Sequence, residues 1–406
     1  MYIKRAIEPV ILKILDQFPV ILLTGPRQVG KTTVLKELLG DDYQYVTLDD
    51  FTERQSLQND PRLFFANHSG PIILDEIQYV PESFSFIKLL ADQQQKAGQF
   101  VLTGSQAFQL MQNVSESLAG RIAILEMKGL SLREKHNVSI TDPFIPTKEY
   151  IDTREKEIKD YPDIWSTIHR GDMPRLKSHP EIDWEIYYSS YVKTYIERDV
   201  RQIVNIDNES LFMQFMTSVA SRSGELLNYQ SIAKDIGVSI ETVKRWISIL
   251  ETSGIIYLLK PYANNHLKRV LKTPKLYFLD TGLLAYLTKW PTPETLASGA
   301  TAGNVFETFV ISEIIKSYLN AGKIDLPLYY YRDRDKKEID LLIEYGDSLY
   351  PIEIKHTANP QIRMGNNFSI LDQIANKKRE NGTIICRYPR KYWLAEDLIA
   401  LPIEYI

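Results

Sequence analysis

The sequence predicts an α/β protein built from two α/β units on either side of a helical middle, and three observations predict it. Short apolar runs alternate with helix-period stretches up to about residue 128, a charged and then helical texture follows, and near residue 301 a long helix-period segment leads into a second set of strands. At 406 residues the chain exceeds what one hydrophobic core usually supports, so several domains are expected. The changes of texture set them at 1–128, 129–210, 211–290 and 301–406. With 44% hydrophobic and 25% charged residues the chain can bury a sizeable core. No apolar run reaches the roughly 20 residues that cross a bilayer, so no membrane partner is expected. The first residues, "MYIKRAIEPVILKIL", are amphipathic and lack a signal-peptide pattern, and the single cysteine, Cys386, excludes intramolecular disulfides and cysteine-based metal clusters. A cytoplasmic location follows. The net charge of −4 argues against polyanion binding over the whole surface but leaves room for a local basic patch.

In the first unit, "PVILLTG", "YQYVTLD", "GPIILDE", "QFVLTGS" and "RIAILEM" read as strands with helices between them, the signature of a parallel sheet. After the first strand stands "GPRQVGKTT": Gly25, Pro26, Arg27, Gln28, Val29, Gly30, Lys31, Thr32 and Thr33. The spacing is that of a phosphate-binding loop, placed between a strand and a helix as such a loop must be. Gly25 and Gly30 let successive N–H groups face phosphate oxygens, Lys31 reaches the outer phosphates, and the Thr32 hydroxyl can ligate Mg²⁺. ATP and Mg²⁺ are the expected cofactors. At the end of the apolar strand "PIILDE", Asp75 completes the metal's shell and Glu76 polarises the attacking water, which points to hydrolysis. "FVLTGSQ" ends a strand with Ser105 and Gln106, suited either to sensing the terminal phosphate or to turn formation. "SLAGR" places Arg121 before the next strand. From there it could stabilise developing phosphate charge within its own subunit or across the interface of a homo-oligomer, or serve as an ordinary surface arginine.

The order "TGPRQVGKTT", "LDEIQ", "LTGSQ" and "SLAGR" resembles the bacterial and archaeal AAA-type ATPases whose P-loop domain is joined to a C-terminal region of long-unknown function. "YVKTYIERDV", "PKLYFLDTGLL", "GNVFETFVISEI" and "KEIDLLIE…YPIEIK" extend that resemblance over nearly the whole chain. It implies an AAA-type core, a winged-helix middle and a restriction-endonuclease-like α/β end. One departure is visible at "HRGDMPRL", where the family often carries a second glycine and this chain has Asp172 or Met173.

The stretch 129–183 reads as a connector rather than a core. Beyond it, "YQSIAKDIGVSIETVKRWISIL" puts Ile232, Ala233 and Ile236 on one helix, a turn at Gly237, and Val243, Ile247 and Leu250 on the next, which reads as helix-turn-helix. The strands "GIIYLLKPY" and "PKLYFLD" with the basic loop "NNHLKRVLK" between them would form the wing. Lys244 and Arg245, with Lys268, Arg269 and Lys272 in the loop, are the expected phosphate contacts, although winged helices also serve as protein contacts.

In the last unit, strand alternation puts Glu353 and Lys355 of "YPIEIK" on one face, and a turn near Gly346 and Asp347 folds Asp340 of "KEID" back toward them. Carboxylates that hold a divalent ion beside a lysine are what phosphodiester cleavage needs. The resemblance adds Glu307 as a further acidic position. The same residues also suit an exposed, solvated strand face. Two classes of function therefore stand open: an ATPase acting on DNA or other nucleic acid with a nuclease-like site, and a nucleotide-dependent switch whose inactive nuclease-like end binds a protein partner.

Overall fold

The computed structural model describes residues 2–104, 118–158, 163–195, 200, 209–263, 273–333 and 335–406. Strands β1 (Val20–Thr24), β2 (Gln44–Thr47), β3 (Ile72–Asp75), β4 (Phe100–Gly104) and β5 (Ile122–Glu126) form one sheet in the order β2-β3-β4-β1-β5. Every pairing in it is parallel, with Val20 level with both Phe100 and Ile122. β1, β3 and β4 are buried along their whole length, as expected of central strands covered by helices on both faces. Two apolar clusters lie on opposite faces of the sheet: Val20, Leu22, Leu74 and Leu102 point into one, and Ile21, Leu23, Ile73 and Val101 into the other. The expected five-stranded parallel sheet is therefore present.

In the middle, the helices Tyr229–Ile236 and Ile240–Thr252 are joined at Gly237, which adopts a left-handed conformation with φ 71°. Side-chain oxygens of Asn228 and Ser239 cap their N-termini. The faces turned inward carry Ile232, Ala233 and Ile236 on one helix and Val243, Trp246, Ile247 and Leu250 on the other. Strands β6 (Ile256–Leu259) and β7 (Lys275–Phe278) then pair antiparallel. The basic loop between them lies outside the described residues, and with it Lys268, Arg269 and Lys272.

The C-terminal unit is a mixed sheet. β8 (Leu328–Arg332), β9 (Glu338–Tyr345), β10 (Ser348–Ile354), β11 (Lys378–Arg379), β12 (Gly382–Cys386), β13 (Tyr392–Ala395) and β14 (Leu398–Pro402) run in the order β13-β14-β12-β10-β9-β8, with β11 paired to β10. β10, β12 and β14 are parallel, while β8, β9 and β13 run against their neighbours. The helix Ala302–Asn320 is buried nearly all round, so it is the axis of this half of the molecule rather than a surface helix.

The stretch expected to be a connector turns out to be core. Phe144, Tyr150, Trp165, Ile168, Tyr188 and Tyr191 belong to a single apolar cluster that continues through the helix-turn-helix to Ile385 and Tyr405. Its charged texture concealed this because apolar residues are sparse there, and several of the charges are themselves buried. Asp172, at 1% exposure, accepts from Lys135 (2.6 Å) and Lys316 (2.6 Å), and Lys316 also pairs with Glu313 (2.5 Å). Burial alone would raise the Asp172 carboxyl, but the two ammonium groups hold it below the ordinary carboxylate range. Asp172→Ala leaves two lysines in the interior short of their shared acceptor, and a loss of about 3–5 kcal/mol is expected. Urea unfolding of the full chain checks this, and a midpoint unchanged from wild type would show that the charges reorganise without cost.

Candidate functional site

The loop between β1 and the helix Lys31–Leu39 is shaped by its two glycines. Gly25 has φ 141° and a Cβ there would sit 2.0 Å from the Met127 carbonyl oxygen, while Gly30 has φ 93° at the helix N-terminus. Lys31 folds over the loop and donates to the carbonyls of Gly25 and Pro26, each at 2.8 Å. The resulting cleft of about 460 Å³ is lined by Arg27, Gln28, Gly30, Lys31, Thr32, Thr33, Glu76 and Thr194. A second cleft of about 450 Å³ shares Gln28, Gly30 and Thr33 and extends between Tyr2, Ile3, Pro174 and His179. Val29 is buried below the loop, and its carbonyl accepts from Arg5 at 2.7 Å. Arg5 also donates to Glu134 (2.9 Å) and to the Lys128 carbonyl (2.7 Å), which ties the loop to the start of the middle region.

The two acids at the end of β3 are held differently. Asp75 is buried and accepts from the hydroxyls of Thr32 (2.9 Å), Tyr45 (2.8 Å) and Thr103, so it is fixed beside the loop. Glu76 has φ 57°, an unusual backbone conformation for this residue type, and it accepts from the Gln78 side-chain amide. Burial pushes its carboxyl above the ordinary range, against the pull of Gln78, Lys31 and Arg27. The donor set of Thr32, which lines the cleft, and the Asp75 carboxylate bonded to it fits a small oxygen-seeking cation, which these two residues would hold.

Ser105 and Gln106 lie outside the described residues. Arg121 is described, but at the other end of the sheet. Its carbonyl accepts from Val20 N (3.3 Å) at the start of β1, whereas the P-loop leaves β1 after Thr24. The strand between them is five residues long, roughly 16 Å at the usual rise. The guanidinium is exposed and pairs with Asp92 at 2.8 Å. A role at the nucleotide of its own subunit does not fit this placement. Residues not anticipated from the sequence also reach the loop: Tyr187 donates to the Gln28 side-chain oxygen (2.7 Å), and Thr194 of the same helix, Trp184–Tyr195, lines the cleft. No local motif marks them, since they arrive through tertiary packing.

In the C-terminal sheet, β9 and β10 form the expected hairpin, and the register that pairs Leu341 with Ile352 sets Asp340 opposite Glu353. Asp340 accepts from the Ile354 amide (2.8 Å) and from Lys355 (3.1 Å), and Lys355 also pairs with Glu353 (2.6 Å). Glu353 is 8% exposed, and its Oε2 has no hydrogen-bond partner among the described residues. Burial and the neighbouring Asp340 push its carboxyl up to about 8, against Lys355. Burial and the neighbouring Asp340 push the Glu307 carboxyl above the ordinary range, but its own contacts lie elsewhere. It faces Lys275 (3.1 Å) and the Tyr277 hydroxyl (2.6 Å) instead, and among the described residues no three of His, Cys, Asp and Glu are grouped to hold a metal ion. On the helix-turn-helix, Lys244 and Arg245 are both exposed, with the Lys244 ammonium 6.0 Å from the Tyr229 ring.

Comparisons with known proteins match three stretches of the chain. Residues 17–136 match the family described as AAA domain, residues 161–294 a domain of unknown function (DUF8612), and residues 302–406 another domain of unknown function (DUF4143). Two curated relatives, uncharacterized proteins of Mycobacterium tuberculosis and Mycobacterium bovis, are each 29% identical over 394 residues, covering 97% of this chain and 82% of theirs. Among solved structures, a Walker-type ATPase of Pyrococcus abyssi is similar at 15% identity with a TM-score of 0.41, over 69% of this chain and 94% of that one, a likeness too low to carry an argument. Among the described residues no helix is long and apolar enough to cross a membrane. Residues 17–136 thus combine a match to the AAA domain family with a parallel sheet, a glycine-shaped loop of P-loop spacing after β1 and an Asp-Glu pair at the end of β3.

Proposed function

We propose that the chain is a Mg²⁺-dependent, cytoplasmic ATPase that acts on or with nucleic acid through a winged helix and a nuclease-like C-terminal sheet. The observation that carries the ATPase reading is the joint geometry of Lys31, Thr32 and Glu76 around one cleft, with Asp75 bonded to Thr32. Bound phosphates would replace the loop carbonyls as acceptors for Lys31, and the adjoining cleft beside Tyr2 and Pro174 is sized for the base and ribose. Mg²⁺, when bound, supplies charge neutralisation on the phosphates. Glu76, held near the cleft with a raised affinity for protons, is the base that orients water for attack. Lys31→Ala is expected to abolish binding of a fluorescent ATP analogue. Glu76→Gln is expected to bind it normally while phosphate release falls at least about 100-fold. Equal turnover in wild type and Glu76→Gln would remove Glu76 from this role.

Arg121, lying at the far end of its own sheet, is assigned to a neighbouring subunit's nucleotide. Glu76→Gln subunits retain Arg121, and Arg121→Ala subunits retain an intact hydrolytic site. Mixing the two inactive variants should therefore restore measurable ATPase activity, and a mixture no more active than its parts would sink the interfacial role.

The exposed Lys244 and Arg245 support contact with nucleic acid phosphates, and the Asp340–Glu353–Lys355 group supports a two-carboxylate metal site, since the buried, unpartnered Glu353 Oε2 fits a cation ligand. Lys244→Gln combined with Arg245→Gln should lower the slope of log binding constant against log salt by about 2, read by anisotropy on a labelled duplex. A second reading has its own observation. Each acid of the C-terminal cluster already faces a lysine, which suits a nuclease-like sheet that is inactive and binds a protein partner in a nucleotide-dependent way.

A further inference from the structure

Lys275 enters the C-terminal carboxylates from outside their sheet. It stands at the first position of β7, in the two-stranded sheet, and is 4% exposed. Its ammonium lies 2.6 Å from Glu338 Oε1 and 3.1 Å from Glu307 Oε1. Two residues on, and on the same face of the strand, Tyr277 donates to that same Glu307 oxygen at 2.6 Å. One carboxylate oxygen is thus held by two groups of a single strand.

That strand is anchored. Lys275 pairs with Leu259 across β6 and bridges to Leu226, and the chain after β6 bonds to β8, with Tyr262 N donating to Tyr330 O (2.7 Å) and Tyr330 N to Lys260 O (3.1 Å). The backbone that carries the lysine is thus fixed beside the carboxylates, and its side chain is buried there. Lys355 differs: its side chain is 38% exposed, so water reaches it and it can swing away from Asp340 and Glu353.

We propose that Lys275 is a built-in counter-ion that keeps Glu307 out of the metal's coordination shell and confines a divalent cation to the Asp340–Glu353 side. The proposal rests on the two-carboxylate metal reading given above. Its physics is competition: an ammonium and a divalent ion seek the same carboxylate oxygens, and two cations a few ångströms apart in a poorly solvated site repel strongly. Glu353, whose Oε2 has no hydrogen-bond partner among the described residues, belongs to the pair of acids that Lys355 bridges. With Lys275 in place its ammonium holds Glu307 and Glu338 and also acts on the nearby Asp340; with its charge removed, Glu307, which already feels Asp340, is freed as a third ligand.

The experiment is Mn²⁺ titration of the full chain by calorimetry. Lys275→Met should bind Mn²⁺ on the order of 10-fold more tightly than wild type. Lys275→Arg should stay near wild type, and Lys275→Met combined with Glu307→Gln should return to the wild-type affinity, because the gain passes through Glu307. If Lys275→Met does not fold, Lys275→Gln, which keeps a donor for Glu307 without the charge, makes the same comparison. Equal or weaker binding by the neutral variant, with wild-type binding that depends on Asp340, overturns the counter-ion proposal and leaves the metal reading standing. Binding that is absent from all variants, or indifferent to Asp340→Asn, overturns the metal reading and the proposal with it.

Discussion

The buried carboxylate of Asp172 is the interaction on which the assembly of this chain depends. Lys135 comes from the segment just after the parallel sheet, Asp172 from the middle region and Lys316 from the long C-terminal helix, so one acid joins three parts that lie far apart in sequence. Glu313 extends the group by accepting from the Leu132 amide (2.7 Å), and Arg5 reaches from the N-terminus to Glu134 in the same short helix. A buried ion group adds little net stability when complete, yet removing one member is costly, and so it fixes a single arrangement of the parts. The P-loop belongs to that arrangement because Arg5 also holds the Val29 carbonyl.

How much of this was legible in the sequence varied with the physical signal. The parallel sheet was readable because central strands are apolar on both faces, and "VILLT" or "IILD" allow no other reading beside the P-loop spacing. The helix-turn-helix faces were readable from 3.6-residue periodicity, with Trp246 and Ile249 the buried residues of the second helix passed over. The packed stretch from 129 to 183 was not readable. Its interior contains Asp172, Arg154 and Lys135, and a buried charge looks like a surface charge until its partner is known.

The candidate sites divide in the same way. Lys31, Thr32, Asp75 and Glu76 come together because a local motif and the parallel pairings of β1 and β3 with β4 place them, whereas Tyr45 on Asp75, Tyr187 on Gln28 and Thr194 in the cleft arrive through packing that no short pattern encodes. Asp340 and Glu353 meet through a single hairpin, which strand alternation makes predictable. Glu307 was placed with them by resemblance, and the lysine that claims it comes from a different sheet. Arg121 shows the limit of proximity in sequence, since a residue one position before a strand can stand a full strand length from the residue that follows the neighbouring one.

Gly254, with φ 72°, closes the turn after the second helix of the helix-turn-helix, and a side chain there would meet Pro26 of the P-loop at 3.0 Å and the Lys128 ammonium at 2.6 Å. The second residue of the loop and the turn after the helix-turn-helix therefore lie against each other at a position where a larger residue has no room. Any side chain there would have to displace Pro26, the Lys128 side chain or the turn itself, so the spacing between these two parts is set by an atom that is missing.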